Sequence, residues 1–296
     1  MKMKKFLAMA MAAAMSLSLL AGCGSSAEPA ASSGSASSGS TSQTGTANKL
    51  EQIKTSGKLV VGTSPDFVPM EFEDVSSGQK EYVGSDIELA KYIAQELGVE
   101  LELKPMDFMS IQQAITSDVI DLGISGFAAT DKRKEAMNLS DGYDLHQDSG
   151  HGLLVLADQA DGYQTAEAIA GKKVAAQNAS LQQTLVQNQL PEDTKLQPIG
   201  AITDGILMLE TGKVDALAVS LDNADNFIKA HPTLAKAPFV FDYQAEGNVV
   251  AMKKGEDELL EAVNAIIADV NEQGLYQQWK DDAIALAQKL NIKLDQ

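Results

Sequence analysis

Three cations follow one another at Lys132, Arg133 and Lys134, directly after Thr130 and Asp131. The run comes after an apolar stretch that ends in small residues at Ser125-Gly126. Thr130 reads as the N-cap of a helix. Its first turn then carries three positive charges at the end where the helix dipole is already positive, at a cost of a few tenths of a kcal/mol. The bland reading is that long side chains bend into water. The sharper one is that an anion sits there. The second is favoured because the chain has only 23 basic residues against 41 acidic ones, a net charge of −18.

Metal and nucleophile chemistry find little support. His146, His151 and His231 are scattered and Cys23 is the single cysteine, so no ligand spacing is present and no metal or cofactor is expected. The acidic balance excludes nucleic acid as a partner. Cys23 closes the run Leu19-Leu20-Ala21-Gly22, behind a basic start and an apolar core. This resembles the lipobox of bacterial lipoproteins, in which the cysteine is acylated and becomes the new N-terminus. Residues 1–22 are expected to be a signal peptide. Residues 23–48, rich in Ser, Gly, Ala and Thr, are expected to be a flexible tether reaching roughly 25–30 Å. The protein would then be held by a lipid on the outer face of the cell membrane.

Positioning elements alternate. LVVGTS (59–64) reads as a buried strand. Ser85-Asp86-Ile87-Glu88 reads as a capping box, opening a helix whose stripe is Ile87, Ala90, Ile93, Ala94 and Leu97 and which ends at Gly98. Strands follow at 99–103 and 120–125, with a helix at 111–117 between them. A second set has a strand at 173–177, a helix capped by Ser180 with Gln183 as its box partner, a helix over 204–210 and a strand at 214–220. The last apolar-periodic stretch, from Asp257, should break at Gly274. AITSDVIDLGIS (114–125) and LETGKVDALAVS (209–220) echo each other, which implies two α/β units of one plan. Ligands of such sheets sit beyond the carboxyl ends of the strands.

GTSPDFVPMEF, GSDIELAKYIAQELGVELE, SDVIDLGISGFAATDKRKEAMNLSDGY, GKKVAAQNASLQQ and ETGKVDALAV resemble the extracellular solute-binding proteins of ABC importers, family 3. The resemblance implies a periplasmic-binding-protein-like α/β fold. Two α/β lobes are joined by two hinge strands, with the ligand cleft between them. Lobe one would be 49–146 plus 246–296, and lobe two 147–245. It also implies an amino acid or related small carboxylate as ligand, a membrane permease as partner, a monomer and no catalysis. An enzyme on the same scaffold, of cyclohexadienyl-dehydratase type, is the alternative.

Carried over residue by residue, Arg133 would clamp the ligand α-carboxylate with its fork. The amides at the start of its helix and the Ser125–Gly126 turn would complete an anion pocket. Ser180 would add a hydroxyl from lobe two, with Gln182 facing the cleft. Phe67 would pack on the ligand, bordered by Ser64 and Asp66. Ser125 would also receive the amino group at its carbonyl. The departures are Ala128 for a hydroxyl residue, Leu181 for a second hydroxyl, Met70 for a loop aromatic and Ser220 for the aspartate that pairs with the α-ammonium. Either Asp222 or Glu71 supplies the missing charge, or the ligand keeps a carboxylate and lacks a standard α-ammonium.

Overall fold

A short helix, α1 (Lys49–Ser56), is capped by the Asn48 side chain on the amide of Glu51, and Gly57 ends it in the left-handed region. The computed structural model describes residues 48–145, 150–243 and 247–290. The chain divides into two units, Met1–Gly45 and Thr46–Gln296, and the fold is that of the second. The expected signal peptide, Cys23 and the tether through residue 47 lie outside the described residues, as do His146 and the two expected lobe junctions.

The first lobe continues with β1 (Lys58–Thr63), β2 (Asp66–Phe67), β3 (Glu71–Asp74), β4 (Glu81–Val83), α2 (Ser85–Leu97), β5 (Glu100–Pro105), α3 (Phe108–Thr116), β6 (Leu122–Ala128), α4 (Asp131–Ala136) and β7 (Met137–Leu139). The second holds β8 (His151–Leu156), β9 (Lys173–Gln177), α5 (Leu181–Gln189), β10 (Lys195–Ile199), α6 (Ile202–Glu210), β11 (Ala216–Ser220), α7 (Leu221–Ala230) and β12 (Leu234–Val240). The chain then returns to the first through β13 (Asn248–Lys253), α8 (Asp257–Gln273) and α9 (Leu275–Lys289).

Each lobe has a five-stranded sheet, in the orders β5-β1-β6-β13-β7 and β10-β9-β11-β8-β12. The echo in the sequence is a shared corner of both. β6 lies between parallel β1 and antiparallel β13, and β11 between parallel β9 and antiparallel β8. Asp121 exchanges two bonds with Val60: its amide donates to the carbonyl and its carboxylate accepts from the amide at 2.9 Å. Asp215 does the same with Lys173, at 2.7 Å. The aspartate that precedes each strand therefore pins it to its parallel neighbour.

The inner lobe-two strands β8, β9 and β11 are buried on both faces, which is why they read as apolar runs. Leu153, Val155, Val174 and Ala218 pack on the side of α5, while Leu154, Ala175, Leu217 and Val219 pack under α6 and α7. Leu59, Val61, Leu122 and Ile124 pack against α2 and α8 in lobe one. Each of these Leu, Val and Ile side chains contributes about 1.5–3 kcal/mol by leaving water.

Two expected local features are corrected. Ser85 is not an N-cap: the cap is Gly84, at φ 128°, with no side-chain bond, and Ser85 is the first helical residue. A Cβ at Gly84 would lie 2.2 Å from the Met70 carbonyl oxygen, so close chain approach chose a glycine there. Ser85 Oγ instead donates to Tyr276 Oη at 3.0 Å. Second, Ser125-Gly126 is not a turn, because β6 runs on through both to Ala128. The other two caps hold. The Ser180 hydroxyl accepts from Gln183 N, and that of Thr130 accepts from Arg133 N. Gly274 (φ 65°) separates α8 from α9.

Candidate functional site

The carboxyl ends of β1, β6, β9 and β11 converge on a cleft between the sheets, of about 820 Å³ including its open mouth. All twelve residues expected at the site line it: Ser64, Asp66, Phe67, Met70, Glu71, Ser125, Gly126, Arg133, Ser180, Gln182, Ser220 and Asp222.

Arg133 is 5 % exposed, whereas Lys132 and Lys134 lie in solvent. Its guanidinium donates to the Ala128 carbonyl at 2.8 Å and, across the cleft, to the Ala179 carbonyl at 3.0 Å. It sits 5.1 Å from the ring centres of both Phe108 and Phe127. Burial lowers its pKa to about 10, which leaves it ionised at neutral pH. Among the described residues no carboxylate pairs with it. The reason for expecting an anion therefore changes. α4 has six residues, and Arg133 and Lys134 fall in its last turn, so neither a wrong-end dipole penalty nor a row of free amides supports the expectation. A buried cation with unfilled donors does.

Gly126 is also reassigned. Its amide donates to Asp86 Oδ2 at 2.8 Å, so that N–H is engaged within lobe one although the residue lines the cleft. Its φ of 56° and the nearness of Phe67 and Met70 to its missing Cβ explain the glycine.

Glu71 is 1 % exposed. Its Oε1 accepts from Ser125 Oγ at 2.6 Å, while that hydroxyl accepts from Ser64 N at 3.1 Å. Its Oε2 has no hydrogen-bond partner among the described residues. Burial first, and the neighbouring Asp86 charge second, push its pKa well above the usual carboxyl range. Asp86 is fully buried and accepts three bonds, from Gly126 N, Tyr143 Oη at 3.0 Å and Tyr276 Oη at 2.6 Å. Asp144 is paired with Lys280 at 2.9 Å at the rim.

Asp66 is spent on closure. It accepts from Ile202 N at 2.6 Å, at the start of α6 in the opposite lobe, and from Ser64 Oγ and Gln177 Nε2. Burial raises its pKa. Ser180 keeps its O–H for other acceptors while its oxygen caps α5. Ser220 precedes α7 without a side-chain cap bond, and Asp222 follows in the first turn.

The profile of the bacterial extracellular solute-binding proteins, family 3, matches residues 59–284. The chain belongs to this family. Among its relatives, the arginine-binding extracellular protein ArtP of Bacillus subtilis is 29 % identical over 75 % of this chain and 84 % of its own length. The L-cystine-binding protein TcyJ of Escherichia coli is 30 % identical over 77 % and 83 %. The amino-acid ABC transporter binding protein AbpA of Streptococcus pneumoniae, solved with L-arginine, is 39 % identical with a TM-score of 0.76 over 82 % of this chain and 99 % of that one. The ancestral amino-acid-binding protein AncCDT-1, a precursor of cyclohexadienyl dehydratase, is 28 % identical with a TM-score of 0.70 over 79 % and 98 %. This family-3 protein is therefore an extracellular solute-binding component that captures an amino acid or related small carboxylate for an ABC transporter. Among its described residues no helix is long and apolar enough to cross a membrane.

Sequence reasoning overlooked several residues of the cleft. His151 lies opposite Ser220 in the β8–β11 register. Its Nδ1 is 3.1 Å from Gln182 Nε2, and its ring meets Tyr243 edge-on at 5.3 Å. Burial lowers its pKa to about 4, so it is neutral. Phe108 and Lys280 also line the cleft. Only tertiary contact reveals them: Phe108 because Arg133 stacks on it, Lys280 because α9 returns from the far end of the chain.

Proposed function

We propose that the ligand is an amino acid with a cationic side chain, of the arginine or lysine type. The observation that carries this reading is that Arg133, on α4, and Glu71, on β3, are held by residues three apart on β6. Arg133 is anchored at Ala128 and Glu71 at Ser125. Three residues of strand span about 10 Å. The carboxylate and ammonium of one α-carbon are far closer together than that, so one zwitterionic head cannot serve both. A carboxylate on Arg133 and a charged side-chain tip on Glu71 can. The arginine-binding relatives agree with this choice.

Within that reading Arg133 and the Ser180 hydroxyl take the α-carboxylate. Phe67 and Met70 flank the aliphatic stem. The corner formed by Ser220, His151 and Asp222 takes the α-ammonium, with Asp222 as its charge. Asp66 and Ser64 act on closure, and Gln182 orients His151. The protein binds without catalysing and works as a monomer. It is held at the membrane by a lipid on Cys23, with residues 1–22 removed.

The test is calorimetric titration of the protein with L-arginine, L-lysine, L-histidine, L-cystine and L-glutamine. The expected order places arginine or lysine first by at least tenfold. Preference for glutamine or cystine would overturn the reading. One feature favours an enzyme as second reading, namely a buried Glu71 carboxyl whose pKa is raised by burial and by the neighbouring Asp86, the direction a general acid needs. Formation of product from prephenate or arogenate would establish it.

A further inference from the structure

Glu71 and Asp86 are two neighbouring carboxyl groups buried on lobe one, with no cation bonded to either among the described residues. They are not equivalent. Asp86 receives one amide and two tyrosine hydroxyls, the environment of a carboxylate. Glu71 receives one hydroxyl on Oε1 and nothing on Oε2, although it lines the cleft. Two adjacent buried carboxyls cannot both ionise without a counter-charge. The unbonded oxygen is the one with room for a proton.

We propose that Glu71 and Asp86 hold a single proton between them while the cleft is empty, and that the cationic tip of the ligand expels it to solvent. The exchange balances. A neutral carboxyl and a cation enter; a carboxylate–cation pair and a free proton leave. This rests on the cationic-ligand reading above and adds a property to it: capture is proton-linked, so affinity depends on the pH outside the cell.

The groups facing Glu71 set the direction. Asp66 from β2, Asp86 from α2 and Ser125 from β6 act on it directly. Tyr143 after β7 and Tyr276 from α9 hold Asp86, and Asp144 is already neutralised by Lys280. Nearby charge is thus negative, and it favours the protonated form until a cation arrives. His151 on β8 is neutral already, since burial lowers its pKa to about 4, and does not contribute above that.

The test is titration of the wild-type protein with L-arginine in buffers of different ionisation enthalpy, at several pH values. The expected result is release of close to one proton per arginine. Affinity should rise with pH, by up to about tenfold per unit, and level off above the raised pKa of Glu71 in the empty cleft. L-Citrulline, of similar shape but neutral, should bind more weakly and release none. Glu71→Gln should abolish the release and flatten the pH profile. Arginine binding with no proton released would overturn the proposal and leave the ligand reading standing. Equal release with citrulline would overturn it too, by placing the α-ammonium at Glu71. If neither arginine nor lysine binds, it is the ligand reading that has failed.

Discussion

Replacing Arg133 with methionine separates a structural arginine from one that waits for an anion. In the empty protein the side chain makes two charged hydrogen bonds and two ring contacts. Charged bonds are worth about 1.5–3 kcal/mol each when the partner is left bare. Neither partner would be. The Ala128 carbonyl also accepts from Thr130 N at 3.0 Å, and the Ala179 carbonyl from Gln112 Nε2 at 3.2 Å. Against the lost bonds stands the relief of a buried charge without an acid partner, a cost of several kcal/mol, and methionine refills the space between the phenyl rings. The two sides nearly cancel, so the stability of the empty variant should lie within about 1 kcal/mol of wild type. Binding behaves otherwise. Removing one member of a desolvated pair costs about 2–5 kcal/mol, or about 30- to 5,000-fold in Kd. Urea unfolding of the empty proteins and calorimetry with the cognate amino acid measure the two quantities. Unchanged affinity, or a stability loss above about 3 kcal/mol without ligand, would refute the assignment of Arg133 to the carboxylate.

Glu71→Gln should change the pH dependence of stability. The folded pKa of Glu71 is raised by burial, so between its unfolded value and that raised one the folded state binds more protons than the unfolded. Wild-type stability then falls as pH rises, by up to about 1.4 kcal/mol per unit. The variant should gain on wild type in urea midpoint as pH rises above the ordinary carboxyl range, and a constant difference would show that Glu71 does not titrate there. Asp222→Asn should weaken amino-acid binding about 10- to 100-fold if it is the ammonium's charge, and Ser220→Asp in the same background should restore it; normal affinity in the single variant would place the counter-charge elsewhere. Cys23→Ser should release the protein from membranes or leave it unprocessed, and a mutant that is still membrane-bound with normal N-terminal cleavage would end the lipid-anchor reading.

What the sequence made legible was whatever short-range chemistry decides. The apolar run at 173–177, the cap at Ser180 and the stop at Gly274 all depend on neighbours within a few residues. The paired aspartates at 121 and 215 were visible as an echo, although their function of clasping a parallel strand needed coordinates. Ser85 misled because its hydroxyl is claimed by Tyr276, 191 residues away, and Gly84 takes the cap position. Arg133 drew notice for a dipole that a six-residue helix hardly has. Its burial between Phe108 and Phe127, which gives it meaning, comes from α3 packing over β6. His151 left no local signal, since HGLLVL reads only as a buried strand and the register with Ser220 is set across the sheet. Asp66, expected at the cleft wall, lines it and also bridges to α6, which no local pattern foretold.

That bridge bears on how the protein reports its ligand. The lobes meet here through Asp66 and Ile202 N, Asn223 and the Val68 carbonyl at 3.0 Å, and Gln112 and Arg133 on the Ala179 carbonyl. The neutral bonds, from Asn223 and Gln112, are worth about 1 kcal/mol each after water is displaced, and those of Asp66 and Arg133 about 1.5–3 kcal/mol. A few of them offset part of the cost of bringing two polar surfaces together and leave open and closed forms near balance. A ligand shifts such a balance only by its differential affinity for the two forms. Arg133 and Glu71 both belong to lobe one, so charge pairing with them does not by itself prefer closure. The preference must come from lobe two, through Ser180, His151 and Asp222. Substitutions on lobe one should therefore change how tightly ligand is held, and those at Ser180 or Asp222 how fully the cleft closes on it. Small-angle scattering of Asp222→Asn at saturating ligand should show a more open particle than wild type, and Arg133→Met at its own saturation should not. Identical closure in the two variants would mean that the lobes do not divide the work in this way.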